Sequence, residues 1–353
     1  MAAAGTTPRY TVPKAVIKTQ YVRRLPDHSQ SIRRGMQLAF LALNAVLCAE
    51  FVHFVRKFEG FETVWRVSRP AAVEGWLPIA GMMNTKYLLV SGQVPLIHPA
   101  AMFLFIAFVA MSLVLRKAFC GWLCPVGAIS EYLWKLGRKT FRRNFALPGW
   151  FDIPLRSLKY ILFGLFLYAV GGMSAAAIEQ FLGSPYGLIA DVKMLNLFRH
   201  LSVTGAVVLG VLISASIFIQ NFWCRFLCPY GALMGLVSLL SPLRIKRIPE
   251  KCIDCEKCAK ACPSLLPVDR LVQIRSAECL GCMECVAACP AEGALAMSLC
   301  RRVEVKPWAI AAAAALLFFG VVGYAKLRGQ WDSPIPEAVY QELVPRAAEY
   351  AHP

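Results

Sequence analysis

Apolar residues in this chain gather into five nearly uninterrupted runs, Met36–Val55, Ile97–Leu115, Tyr160–Ile178, Leu201–Ile219 and Trp308–Tyr324. A hydrocarbon core of about 30 Å is crossed by roughly 17–25 residues of helix, so each run predicts a membrane span. The polar segments between them alternate in basic content. Segments 1–35, 116–159 and 220–307 hold 28 of the 38 Lys and Arg, and segments 56–96, 179–200 and 325–353 hold the other 10. By the positive-inside rule this places the N-terminus and segment 220–307 in the cytoplasm and the C-terminal tail outside.

Three polar stretches qualify the picture. Met1–Arg34 is basic, contains Pro8, Pro13 and Pro26, and has no early apolar stretch. It reads as a flank of the first span rather than a cleavable signal peptide. Trp76–Val90 is apolar but interrupted at Asn84, Thr85 and Lys86, which predicts a segment on the membrane surface or over the bundle. The tail, with Trp331, Pro334 and Pro336, reads as an extended arm with a short helix, either a docking element or a disordered end.

Composition agrees with a membrane protein: 58% of residues are hydrophobic and 17% charged, against about 45–50% and 25% in soluble domains. The net charge of +17 would suit a nucleic-acid binder. Its distribution is already explained by topology, so no nucleic-acid partner is expected. Fourteen cysteines at short regular spacings read as metal ligation rather than a disulfide framework.

Eight of them form two runs, Cys252-x2-Cys255-x2-Cys258-x3-Cys262-Pro263 and Cys279-x2-Cys282-x2-Cys285-x3-Cys289-Pro290. This is the C-x2-C-x2-C-x3-C-P spacing of bacterial two-cluster ferredoxins, in which the fourth cysteine of each run ligates the other cluster. The expected sets are Cys252, Cys255, Cys258 and Cys289 for one [4Fe–4S] cluster, and Cys279, Cys282, Cys285 and Cys262 for a second. Zinc ribbons use C-x2-C pairs across a long spacer, which these runs lack.

Four further cysteines lie in an internal repeat: Phe119-Cys120-Gly121-Trp122-Leu123-Cys124-Pro125 matches Trp223-Cys224-Arg225-Phe226-Leu227-Cys228-Pro229. Each copy follows a span running inward, so spans one–two and three–four form two parallel repeats related by an axis along the membrane normal. Spacing i, i+4 predicts two thiols on one helix face, with proline ending the helix just after them. The axis would bring Cys120, Cys124, Cys224 and Cys228 together at the cytoplasmic boundary, as ligands of a third iron–sulfur cluster or of copper. Packing residues or a redox-active dithiol are the alternatives.

Ionisable residues near spans are functional candidates. Glu50 and His53 share a face near the outer end of the first span, where they could accept protons from a quinol. His98 and His200, also on the outer side, are weaker candidates as metal ligands or for a non-covalent haem b. A quinol site there would lie about 30 Å from the cytoplasmic clusters. The alternative position for quinone is beside Trp122, Trp223, Arg225 and Tyr230.

Two Cys-x3-Cys-Pro motifs followed by two ferredoxin runs in a polytopic chain resemble the NapH/MauN family of ferredoxin-type membrane proteins, over about Met36 to Pro290. The membrane half of NosR and the CcoG/FixG proteins are more distant likenesses. The resemblance implies quinol oxidation in the bacterial inner membrane, as part of a hetero-oligomeric complex feeding a respiratory chain. Its partner would be a periplasmic or membrane-bound redox protein, ferredoxin-type or a c-type cytochrome. A fifth span and an external tail depart from the family's usual four-helix plan. Room is lacking for the flavin domain of NosR and the immunoglobulin-like domain of CcoG. Copper reduction in the manner of CcoG is the alternative function; a transporter would need broken helices or midplane charges, absent from spans two to four.

The fold class expected is an α-helical polytopic membrane protein of five spans, carrying an inserted two-[4Fe–4S] ferredoxin-like α+β domain. The divisions are a basic N-terminus (1–35), a four-helix membrane domain (36–243), a cytoplasmic ferredoxin domain (244–303), a fifth span (304–325) and a periplasmic tail (326–353).

Overall fold

The computed structural model describes residues 28–61, 68–142, 144–145, 147–300 and 303–352. Most of the expected basic N-terminal segment therefore lies outside the described residues. Helix α1 (Ser29–Phe58) is followed by a tight turn at Ala71–Trp76, then α2 (Pro78–Ser91), α3 (Pro99–Val114), α4 (Pro125–Phe141) and α5 (Gly149–Gly172). Helices α6 (Ala175–Gly183), α7 (Pro185–Leu188), α8 (Ala190–Arg199), α9 (Val203–Phe218) and α10 (Pro229–Ser238) complete the helical part before the ferredoxin segment. That segment contains β1 (Leu243–Arg247), α11 (Lys257–Ala261), α12 (Glu284–Ala287), β2 (Leu295–Leu299) and β3 (Val303–Glu304). Helices α13 (Pro307–Leu327) and α14 (Glu337–Leu343) close the chain.

A helix covers the greater part of every expected span, but not all have the expected length. Among the described residues, α1, α5 and α13 are long and apolar enough to cross a membrane; α8 and α9 make a fourth only if their 80° bend lies within one span. At 1.5 Å per residue, the 16 residues of α3 reach about 24 Å, short of the hydrocarbon core. The run Tyr160–Ile178 is divided: α5 starts earlier, at Gly149, and ends at Gly172, while Ile178 belongs to α6. The break has a local cause. Met173 is extended, and the Ser174 hydroxyl accepts the Ala177 N–H at 3.1 Å, capping a new helix. Lys86 holds the end of α5 by donating to the carbonyls of Val170, Gly171 and Met173. Segment Trp76–Val90 mostly forms α2, which packs along α3.

The internal repeat is visible in the packing. Helix α3 lies against α10 and α9 against α4, so the first helix of each copy packs on the second helix of the other. The flanking helices follow the same rule: α1 touches the turn after α3 and α4, and α5 touches the turn after α9 and α10. Gly137 permits the α4–α9 approach, since a Cβ there would lie 2.0 Å from the Ile217 carbonyl oxygen.

In the ferredoxin segment β1 pairs antiparallel with β2, Ile245 opposite Met297, and β2 pairs with β3. The two cysteine runs repeat one backbone course. Asp254 and Glu256 in the first, and Gly281 and Met283 in the second, all have positive φ. These paired left-handed residues fold each C-x2-C-x2-C stretch into a tight loop.

The second loop is set into the membrane part. Arg116 donates to the Ser276 carbonyl at 2.9 Å, Trp122 Nε1 to Gly281 at 3.1 Å and Gln30 to Cys282 at 3.0 Å. Gly121 lets the loop close in, because a Cβ would meet the Leu280 oxygen at 2.6 Å. Two buried cations complete the joint. Arg33 of α1 bonds Glu131 through both nitrogens at 2.7 and 2.6 Å and reaches Glu284 at 2.8 Å. Lys159 of α5 bonds both oxygens of Glu278 at 2.7 and 2.6 Å. Burial alone would raise the Glu131 carboxyl; Arg33 and Lys135 overcome it and hold it at about 2. The pair's stabilisation is therefore full above the usual carboxylate range of about 4.3 and is lost as pH falls through about 2.

Two outcomes are expected. Gly137→Val overpacks the α4–α9 contact and lowers stability by about 1–3 kcal/mol, read as an earlier unfolding transition in detergent. Arg33→Leu leaves Glu131 and Glu284 to the partly exposed Lys135 alone and costs up to about 3–5 kcal/mol. It should also speed amide exchange across Ser276–Glu284, while equal exchange in both proteins would show that Arg33 does not hold the loop.

Candidate iron–sulfur sites and their joint

The two Cys-x3-Cys-Pro motifs adopt the same local structure, and it differs from the expected single helix face. Residues Phe119–Leu123 and Trp223–Leu227 each form a π-helical turn. It is closed by the N–H of Cys124 on the Phe119 carbonyl at 2.9 Å and of Cys228 on Trp223 at 3.0 Å. Cys124 and Cys228 are extended, and Pro125 and Pro229 open α4 and α10 rather than ending a helix. The reason is steric: proline drives the residue before it out of the helical region and suits the first helical position.

The second thiol of each pair therefore caps a helix. Cys228 Sγ accepts the Gly231 N–H at 3.2 Å, and Cys124 stands at the same N-cap position of α4, near the backbone of Gly127 and Val126. Gly127 is required for the close turn, since a Cβ would stand 2.5 Å from the Cys120 oxygen. Helix N-termini favour thiolate sulfur. All four thiols lie close enough to act on one another electrostatically. Burial pushes Cys120 up to about 11 and Cys124 to about 12, and raises Cys224 and Cys228 as well. Such thiols keep their protons unless a metal centre replaces them, and a set of four thiols suits a thiophilic centre, copper, zinc or an iron–sulfur cluster. Among the described residues no three His, Cys, Asp or Glu are close enough for a single metal ion.

In the ferredoxin segment an enclosed void is lined by Cys262, Cys279, Cys282 and Cys285, with Ile245 and Ile274 among its apolar walls. One cysteine of the first run thus joins three of the second. Cys258 faces the other group: burial raises its thiol to about 11, and Cys289 and Cys252 add to the rise. Cys252, Cys255, Cys258 and Cys289 are all partly exposed, while Cys262, Cys279, Cys282 and Cys285 are buried. Thiolate groups of this kind, walled by apolar side chains, fit cubane clusters.

The candidates on the other side are distributed differently. Glu50 and His53 both lie on the exposed face of α1, and His200 is exposed at the end of α8. His98 is fully buried, with Nε2 2.8 Å from the Gly187 oxygen and Nδ1 3.2 Å from Glu74 and 3.3 Å from Arg69. Arg69 also binds Asp191 at 2.7 Å. Burial alone would raise the Glu74 carboxyl, but Arg69 and His98 hold it low. Of the four residues named around the second quinone position, Trp122 and Arg225 are committed to Gly281 and Asp152. Trp223 and Tyr230 are half-buried, and Tyr230 packs edge-on against Phe119 at 5.9 Å.

The sequence reading took Arg33 only as part of the basic flank, and did not include its half-buried partner Glu284, the pair Lys159 and Glu278, or the group Arg69, Glu74 and Asp191. A signal existed for two of them, since Arg33 and Lys159 adjoin apolar runs, where an ionisable residue asks for a partner.

Comparison with known proteins bears on these sites. The family model described as "4Fe-4S binding domain" matches residues 97–144 and 201–247, the two copies of the repeat. One described as "4Fe-4S dicluster domain" matches 244–290. YccM of Escherichia coli (strain K12), provisionally named an electron transport protein, is 49% identical over 91% of this chain and 91% of its own. Ferredoxin-type protein NapH of Haemophilus influenzae is 28% identical, over 53% of this chain and 61% of its own. Methylamine utilization ferredoxin-type protein MauN of Methylorubrum extorquens is 27% identical over the same 53% of this chain and 61% of its own. No solved structure matches. With apolar helices, two copies of a 4Fe–4S binding motif and a dicluster segment in one chain, the protein belongs to the YccM and NapH/MauN family of ferredoxin-type iron–sulfur electron transport proteins.

Proposed function

We propose that the chain carries electrons through three [4Fe–4S] clusters, between the quinone pool of the bacterial inner membrane and a protein redox partner. The observation that carries this reading is the seating of the Ser276–Glu284 loop directly on the first Cys-x3-Cys-Pro turn. Cys279, Cys282, Cys285 and Cys262 hold the cluster nearest the membrane part. Cys252, Cys255, Cys258 and Cys289 hold the outer one, whose partly exposed cysteines suit exchange with a partner. Cys120, Cys124, Cys224 and Cys228 hold the third, between the first of these and the apolar helices. The order is then third centre, buried cluster, exposed cluster. Each bound cluster supplies one-electron transfer; the chain's residues fix the spacing and keep water from the inner two.

In this reading α1, α3, α5, α9 and α13 are the five membrane helices, and the basic segments lie on the cytoplasmic side with the ferredoxin segment. Helix α14 lies on the far side, where Tyr340 packs against Phe54 at 5.3 Å. Quinone is placed at the half-buried Trp223 and Tyr230 beside the third centre, because a site at Glu50 and His53 is most of a bilayer away.

Purified protein should contain about twelve irons and matching sulfide per chain, four per cluster. Cys124→Ser with Cys228→Ser should remove about a third. About eight irons in both proteins would reject the third cluster and leave the ferredoxin pair. Menaquinol or ubiquinol should reduce the clusters, followed by EPR; intact clusters that no quinol reduces would overturn the quinone role. Glu50→Gln with His53→Ala should leave that reduction unchanged, and its loss would move the quinone to the outer pair.

A further inference from the structure

A lysine that none of these roles uses lies beside the four repeat cysteines. Lys117 is buried, 2% exposed, three residues before Cys120. Its Nζ reaches across to the other repeat copy, 3.4 Å from where a Cβ would stand on Gly235 in α10, the helix that Cys228 caps. The ammonium therefore bridges the two halves that supply the thiols.

The neighbouring carboxylates are too few to neutralise it, although Glu278 feels Lys117 as well as Lys159. Glu278 is bound through both oxygens by Lys159 and also accepts the Tyr160 hydroxyl at 3.0 Å. Asp152 is shared by Arg225 and Arg156. Four cations, Lys117, Lys159, Arg156 and Arg225, thus meet two carboxylates, and the apolar site carries an excess of positive charge. A buried charge without a counter-charge is costly, so an anion belongs beside it. The fold does not dictate the position either. The residue three before Cys224, at the matching place in the second copy, is Asn221, equally buried at 6% exposure. The charge stands on one side of a two-fold arrangement.

We infer that Lys117 is the counter-cation of the cluster held by Cys120, Cys124, Cys224 and Cys228, and that it raises that centre's reduction potential above what the four thiolates alone would give. This rests on the proposed third cluster. Four thiolates around a [4Fe–4S] core make an anion in either working state. Reduction adds one electron and one unit of negative charge, with no bond made or broken. Lys117 lies closer to that added charge than bulk solvent does, and it favours the reduced form.

The test is an EPR-monitored redox titration, with dithionite and ferricyanide, of the full-length wild type, Lys117→Met and Lys117→Arg. Iron and sulfide are counted in each. The centre that disappears in the Cys124→Ser, Cys228→Ser protein identifies the signal to follow. Lys117→Met should lower its reduced-to-oxidised ratio at a fixed potential about tenfold or more, about 59 mV for a one-electron couple. Lys117→Arg should stay near wild type, and the two ferredoxin clusters should move much less. The same midpoint in Lys117→Met and wild type overturns the role of Lys117 and leaves the third cluster standing. Absence of any third signal in wild type overturns the cluster itself. Should Lys117→Met lose only the third cluster's iron, retention in Lys117→Arg supports the charge, and loss there as well shows a steric role and rejects it.

Discussion

An ionised side chain inside an apolar bundle persists only where an opposite charge is held against it. Arg33 on α1 and Lys159 on α5 are both buried, and the ferredoxin segment supplies a carboxylate to each, Glu284 and Glu278. These two glutamates bracket Cys279 and Cys282, and Glu284 adjoins Cys285. The requirement that buried cations be neutralised thus fixes where the cysteines sit. Backbone contacts from Arg116, Trp122 and Gln30 then leave the loop little freedom. The helical bundle and the ferredoxin segment consequently form one joint.

A fixed joint suits electron transfer, which needs short constant distances and little rearrangement. Buried cysteines lie at the contact and partly exposed ones away from it. The same division gives the segment two unlike ends: the protected end faces the helical bundle, and the accessible end faces outward. Proline has a part in it too. Cys124 and Cys228 are extended because Pro125 and Pro229 follow them, and extension turns their sulfurs toward the first N–H groups of α4 and α10.

The ferredoxin runs could be read from spacing alone, because a cubane imposes its ligand intervals on the chain whatever surrounds it. The repeat was legible for a similar reason, and its packing followed from it. What the spacing did not carry was the course of the Cys-x3-Cys-Pro turn. An i, i+4 interval suggests one helix, while the proline that looked like a terminator belongs to the start of the next. The limits of the apolar runs misled in another way. Tyr160–Ile178 is continuous in hydropathy, but Gly171, Gly172 and the capping Ser174 divide it, and a hydropathy pattern does not register a cap. The ionic joint was hidden because Arg33 and Glu284 are far apart in sequence, and their pairing exists only in the fold.

The two ends of α3 show how the same chemistry can serve different purposes. At its N-terminus His98, Arg69, Glu74 and Asp191 meet, two basic side chains against two carboxylates, all largely buried. That group is internally matched and ties together the Ala71–Trp76 turn, α3 and α8, close to the core formed by Phe54, Phe58 and Tyr340. At the C-terminal end, about 24 Å away along 16 residues, Lys117 and four raised thiols stand together. A balanced cluster is a clasp, whereas a cation beside protonated thiols is a site waiting for an anion. That difference in charge balance, more than any single residue, is the reason the proposed third centre belongs at the end where the ferredoxin loop is docked.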